Sequence, residues 1–402
     1  MHARAQTRNP SQAGKGRNAA TFSQTIRGIS KLAYRNLFHD RMSLTVTLVG
    51  IIFSVVLVAV QLGLYLSSEK MITTFFQHSR ADLWIVPFGT KSFDDPSLLA
   101  GREKQAALSI PGVESVEELA VGFASWKKPS GGATAVLMIG SSIATGGLKP
   151  WNIVEGSADA LTGPAAVAID RSYFDDLGIT RLGEHAEVNA NKVTISAVTD
   201  GIRSFTTMPY VFTTLQRARA TLEASPEQSS YVLIRVKAGA DIATVRQSLA
   251  VRLKDVEVLT QAEFRNRSLD YWLFQTGAGG ALIAGAVLGI IVGIVIVAQT
   301  LYASTKDHLN EFATLRALGA SAGYIHKVIL IQALLSAVLG YTLGMALSLG
   351  IAQASQHSSL QVLMTPGLAA VLFCLTVGMC VLSAMSAILK VTRIDPAAVF
   401  SR

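Results

Sequence analysis

Charge is thin in this chain: only 15% of its 402 residues are Asp, Glu, Lys or Arg, while 50% are hydrophobic. No charged side chain occurs from Met42 to Ser68, or between Lys327 and Lys390. A soluble globular protein of this length is excluded by that pattern. Cysteine is nearly absent. Cys374 and Cys380 sit in one apolar run, at a spacing that turns them to different sides of a helix, so neither a disulfide framework nor a thiolate metal site is built. Catalytic signatures are missing as well. There is no Gly-x-x-x-x-Gly-Lys-Ser/Thr loop, since Gly14-Lys15 lacks the earlier glycine and the strand-to-helix context. A His-Glu-x-x-His pair and a Gly-x-Ser-x-Gly elbow are also absent, and the seven histidines are scattered, His78 and His185 reading as surface or structural residues. These absences argue against an ATPase, a zinc protease or a serine hydrolase on this chain. With no charge inside the apolar runs, an ion or proton route of the secondary-transporter kind is excluded too.

What charge there is has a direction. The net charge of +8 could indicate nucleic acid, but its placement speaks for membrane topology instead. Before the first apolar run lie Arg4, Arg8, Lys15, Arg17, Arg27, Lys31, Arg35 and Arg41 against Asp40 alone, whereas Ser67 to Asp270 holds 21 basic and 23 acidic residues. Residues 1–21 read as a disordered basic tail able to touch anionic lipid. Residues 22–41 follow as an amphipathic helix at the membrane surface, with Arg27, Lys31 and Arg35 on the face opposite Ile26, Ile29, Ala33 and Leu37.

The uncharged runs are long enough to cross a bilayer, which takes about 20 residues at about 1.5 Å each. We place spans at 42–66, 277–301, 328–352 and 368–389, the last two separated by a polar external loop at 353–367. Gly285, Gly289 and Gly293 repeat every fourth residue on the second span, and Gly340 and Gly344 on the third, so both present a small-residue strip for close helix packing. An even number of spans puts both termini on one side, and the basic tail together with Lys390 and Arg393 in the closing segment 390–402 makes that side the cytoplasm. The expected fold is therefore a membrane protein: an α-helical four-span bundle with a large α+β extracytoplasmic domain, 67–276, between spans one and two.

In the cytoplasmic loop 302–327, Lys306, Asp307, Glu311 and Arg316 interrupt the apolar sequence, while Leu309, Phe312, Ala313 and Leu315 gather on one side of a helix that Gly319 ends and Ser321 restarts. By itself this describes either a solvated loop helix or an amphipathic helix whose apolar face needs a partner. Its wording, Glu311-Phe-Ala-Thr-Leu-Arg316-Ala-Leu-Gly-Ala320, resembles the coupling helix of MacB/FtsX-superfamily ABC permeases, and Arg393-Ile-Asp-Pro396-Ala is similar to that superfamily's close. The resemblance implies that Leu309, Glu311, Phe312, Leu315, Arg316, Leu318 and Gly319 dock on a separate ABC ATPase dimer, which would bind ATP and Mg while this chain holds no cofactor. Phe312, Leu315 and Leu318 would supply apolar contacts, and Glu311 and Arg316 the orientation.

In the outer segment, strands are expected at 82–86, 113–125, 133–140, 231–236 and 256–259, with helices at 97–109 and 241–253. They make a split βαβ layer with an inserted lobe at about 151–228, where 165–170 and 192–199 are further strands. Asp82-Leu-Trp-Ile-Val86 and the run from Asp200 to Pro209 look most like the DevC branch, whose members work with a periplasmic membrane-fusion adaptor and, through it, an outer-membrane duct. The expected activity is mechanotransmission in the inner membrane: ATP hydrolysis on the partner moves the periplasmic domain and drives export. An FtsX-type signalling permease acting on a cell-wall hydrolase and a lipoprotein-extraction permease are the alternatives. A permease homodimer is expected from the dimeric ATPase and the glycine strips.

Overall fold

The computed structural model describes residues 41–145, 147–308, 321–358 and 360–392, together with His39, Glu311 and Thr314. It divides into two compact units. The first is helical, and the second takes in residues 64–282 and 354–363.

Among the described residues, four helices are long and apolar enough to cross a membrane. α1 (Arg41–His78) is the longest, and its 38 residues outrun the hydrocarbon thickness, with the part from Leu64 onward belonging to the second unit.

The second unit starts with β1 (Leu83–Pro87), α2 (Glu103–Leu108) and β2 (Val113–Lys127). It continues through β3 (Ala133–Ser141), β4 (Ile153–Gly156), β5 (Ala166–Asp170), α3 (Phe174–Leu177), β6 (His185–Val188), β7 (Asn191–Thr199), β8 (Tyr210–Thr214) and α4 (Leu215–Thr221). β9 (Tyr231–Val236), α5 (Ile242–Arg252), β10 (Val256–Thr260) and α6 (Gln261–Leu269) close it. Strands β10-β1-β9-β2 form an antiparallel layer in that order, the split βαβ arrangement. β1 shows why its sequence is unbroken Leu-Trp-Ile-Val. Leu83 and Ile85 point to a core under α2 and α5 with Val245 and Leu249, while Trp84 and Val86 point to the opposite core with Phe75, Phe76 and Phe264. Asp241 caps α5 by accepting from Ala243 N and Thr244 N, and Thr260 with Glu263 forms a capping box on α6.

The inserted lobe differs from its expected bounds of 151–228. β2 runs on past the first layer, pairing with β9 up to Leu119 and with β3 from Ala120, so the lobe begins inside one long strand. Its strands then pair in a ring, β2-β3-β8-β5-β7-β6 and back to β2. Closure leaves the ring strands without open edges, while β4, paired with β7 alone, stays an edge strand. The helix expected at 97–109 shrinks to Glu103–Leu108. Leu99 N donates to Ser229 O, and Gly101 adopts φ 100°, so the chain before Arg102 is extended and turned rather than helical.

After α6, a π-helical turn, Asp270–Gln275, leads into α7 (Ala278–Asp307). α8 (Ala322–Ala354) and α9 (Pro366–Thr392) complete the helical unit. Its core comprises Ile51 and Val55 of α1, Val297 and Leu301 of α7, the four-residue ridge Ile325, Ile329, Ala333 and Ala337 of α8, and Met379, Ala384 and Ala387 of α9.

Candidate functional site

Three places were singled out by the sequence: the glycine strips, the loop after the second span and the surface helix at the start. The strips are the best defined. α1 carries two adjacent faces, Ser54, Leu57, Val58 and Gln61 at helical spacing towards α7, and Ile51, Ile52 and Val55 towards α8. A Cβ at Gly285 would lie 2.7 Å from Gln61 Nε2, one at Gly289 3.0 Å from Val58 Cγ2, and one at Gly293 2.5 Å from Ser54 Oγ and 2.8 Å from Met379 Sδ. Gly344 would meet Val55 Cβ at 2.9 Å, and Gly340 meets the Ile51 side chain. The missing side chains let Ser54 Oγ donate to Gly289 O at 2.7 Å. Ser383 Oγ donates to Ile294 O at 2.9 Å and Tyr341 OH to Ala369 O at 2.9 Å, which ties α9 to α7 and α8. Both strips are thus filled by α1 of the same chain. This corrects the expectation that they offer a seam to a second copy, because periodicity marks a packed face without saying which helix packs on it.

Between Asp307 and Ala322 only His308, Glu311, Thr314 and Ser321 are described. Glu311 is exposed, and its Oε2 lies 3.2 Å from His308 Nδ1. Leu309, Phe312, Leu315, Arg316, Leu318 and Gly319 lie outside the described residues, as do Arg27, Lys31 and Arg35 and the motif that starts at Arg393.

A contact that sequence reasoning missed lies in the outer unit. Arg203 is only 6% exposed, and no acid is paired with it among the described residues. Its guanidinium donates to Gln361 Oε1 at 3.1 Å and to Gln356 O, both in the segment 354–363 that links α8 to α9 and belongs to the outer unit. The loop holding Arg203 is fixed on both sides. Asp170, buried, accepts from Ile202 N at 2.7 Å and Thr199 Oγ1 at 2.9 Å. Tyr173 OH accepts from Ser204 N at 2.9 Å, and burial pushes that phenol up to about 12. A buried cation held by one amide oxygen and one main-chain oxygen, with its Nε left without a hydrogen-bond partner, is a costly arrangement. The sequence held one signal, the Gly-Ile-Arg-Ser run inside 200–209, but nothing to connect it with residues about 150 positions later.

Among the described residues no cluster of His, Cys, Asp or Glu could hold a metal ion. Tyr210 OH donates to Asp94 Oδ1 at 2.8 Å, and desolvation raises the Asp94 carboxyl to about 6. The Ser204 side chain also hydrogen-bonds Tyr210.

Two family descriptions match the chain: the MacB-like periplasmic core domain over residues 44–251 and the FtsX-like permease C-terminal domain over residues 283–396. No curated protein sequence matches it. Among solved structures it is similar to the periplasmic region of MacB from Actinobacillus actinomycetemcomitans, at 10% identity and a TM-score of 0.37, covering 49% of this chain and 96% of that one. It is also similar to the extracellular domain of the noncanonic ABC-type transporter YknZ from Gram-positive bacteria, at 14% identity and a TM-score of 0.33, covering 45% and 99%. With one family domain spanning α1 and the outer unit and the other spanning α7 to α9, the chain belongs to the MacB/FtsX superfamily of ABC transporter permeases, multi-pass proteins of the bacterial inner membrane.

Proposed function

We propose that this chain is the permease subunit of an exporter. A separate ABC ATPase dimer, carrying ATP and Mg, grips the loop between α7 and α8; its closing and opening displace the helices, and the outer domain drives substrate into a periplasmic adaptor and an outer-membrane duct. Both termini and the gripped loop are cytoplasmic in this reading, which the basic excess before Met42 supports. Cargo does not cross through the helices themselves, whose apolar runs carry no charge.

The observation that carries the reading is Arg203. The outer domain receives the chain from α1 and returns it to α7, and through Arg203 it also holds the link between α8 and α9. All four apolar helices therefore have a direct connection into that domain, as a rigid-body transmission requires. Replacing Phe312 with Asp tests the input end: the ATPase should no longer copurify with the permease or be stimulated by it. Copurification with full stimulation would overturn the assignment. Arg203→Ala tests the output end, where hydrogen bonds of a charged group are worth about 1.5–3 kcal/mol. ATPase binding should persist while export falls; unchanged export would remove the latch from the mechanism.

A further inference from the structure

Pro87 to Thr90 forms a turn that holds an aromatic ring in the open. Phe88 is 81% exposed, the most exposed large apolar residue of the described outer unit. The turn that displays it is rigid. Thr90 N and Oγ1 both donate to Pro87 O, at 3.2 and 2.8 Å, and Gly89 adopts φ 82°, as the third position of a type II turn requires. Gly89 N donates to Glu257 Oε1 at 2.9 Å, Arg267 Nη1 donates to Thr90 O at 3.2 Å, and the Glu257–Arg267 ion pair at 2.7 Å joins the two anchors. So many bonds on one turn keep Phe88 from folding back onto the protein.

The turn is continuous with a second set of aromatics. Lys91 Nζ sits 5.4 Å from the Tyr271 ring centroid, Tyr271 and Trp272 stand edge to face at 5.0 Å, and Phe205 meets Trp272 at 5.4 Å. Phe274 beyond them is 55% exposed. This stretch immediately precedes Ala278, where the apolar α7 begins, so Trp272 and Phe274 lie within about 10 Å of chain rise from a membrane-spanning helix. Aromatic rings interleaved with a lysine at the mouth of a span are the composition that the headgroup region selects, rings at the acyl boundary and ammonium towards phosphate.

We propose that Phe88, Lys91, Phe205, Tyr271, Trp272 and Phe274 form a collar that enters the phospholipid headgroup region of the outer leaflet, with Phe88 as an anchor supplied from far away in sequence. The full chain, with Cys374 and Cys380 replaced by Ala, is labelled with a nitroxide at Phe88→Cys and placed in nanodiscs of phosphatidylethanolamine and phosphatidylglycerol. Collision with oxygen is compared with collision with a water-soluble nickel chelate. Phe88→Cys and Phe274→Cys should favour oxygen, Val251→Cys should favour nickel, and Leu382→Cys reports the apolar helix α9. Should Leu382→Cys favour oxygen and Phe88→Cys favour nickel as Val251→Cys does, the collar is wrong while the membrane reading stands. A protein covering Phe88 instead of lipid would shield it from both reagents, and that outcome also overturns the collar. Where the cysteine variant does not fold, Phe88→Trp read by headgroup-proximal brominated lipid decides the question: quenching beyond that of the unsubstituted chain is expected, and equal quenching overturns it.

Discussion

At the scale of single residues, Asp94 makes a pH dependence that can be tested. Its carboxyl is raised from 3.8 to about 6 in the fold by desolvation, which outweighs the hydrogen bond from Tyr210. A raised acid binds its proton more tightly in the folded state, so this group favours folding fully at low pH, loses that contribution as pH climbs between about 4 and about 6, and opposes folding above that window. Asp94→Asn keeps an acceptor for Tyr210 without the charge. Relative to the unsubstituted protein, the variant's thermal midpoint should rise as pH is taken from about 4 to about 7; a constant difference would show that Asp94 does not titrate in this window. None of this was legible in the sequence, because the partner hydroxyl is 116 positions away and an acid's desolvation depends on packing. Arg203 was equally hidden, its loop legible only as a run of familiar wording.

At the scale of elements, the glycine strips yield the sharpest expectation. Gly289→Leu would push against Val58 and Leu57 and displace the carbonyl that Ser54 uses, an overpacking that costs about 1–3 kcal/mol. It should lower the thermal stability of the chain in detergent without altering crosslinking between copies until the fold itself is lost; a selective loss of dimer would return the strip to an intermolecular role. Val287, Ile291 and Val295 repeat every fourth residue on α7 and are exposed, so crosslinking at Ile291→Cys tests whether two copies pair along this face. Apolar periodicity made the strands β1, β3, β7 and β9 readable almost to the residue, since burial on one or both faces writes itself into the sequence. It failed for 97–109, where a backbone bond to Ser229 and a left-handed glycine overrule helical composition, and it could not assign the strips a partner.

At the scale of the whole molecule, two sites should face different compartments. Ser130, exposed in the hairpin between β2 and β3, and Glu311, exposed after α7, become probes as Ser130→Cys and Glu311→Cys in a chain lacking Cys374 and Cys380. With the outer membrane made permeable, a maleimide that cannot cross the inner membrane should label the first and spare the second until that membrane is opened; equal labelling would abolish the lever. The order of the spans and the existence of a layered outer domain could be read from charge and periodicity, whereas the ring of strands could not, because closure is decided by β6 meeting β2 across about 60 intervening residues. The long strand β2 also suggests a place to cut. Leu119 stands opposite Tyr231, and Ser230 N donates to Leu119 O, so a tight hairpin turn could heal the backbone there and leave the four-stranded layer intact. The oily interior does not respect that line: Phe75 and Trp84 share one cluster with Leu137, Ile139 and Phe212 of the ring. Grafting a foreign ring onto this permease would therefore leave Phe75 wet unless the last turns of α1 travelled with it, and the heritable cassette is larger than the fold diagram implies.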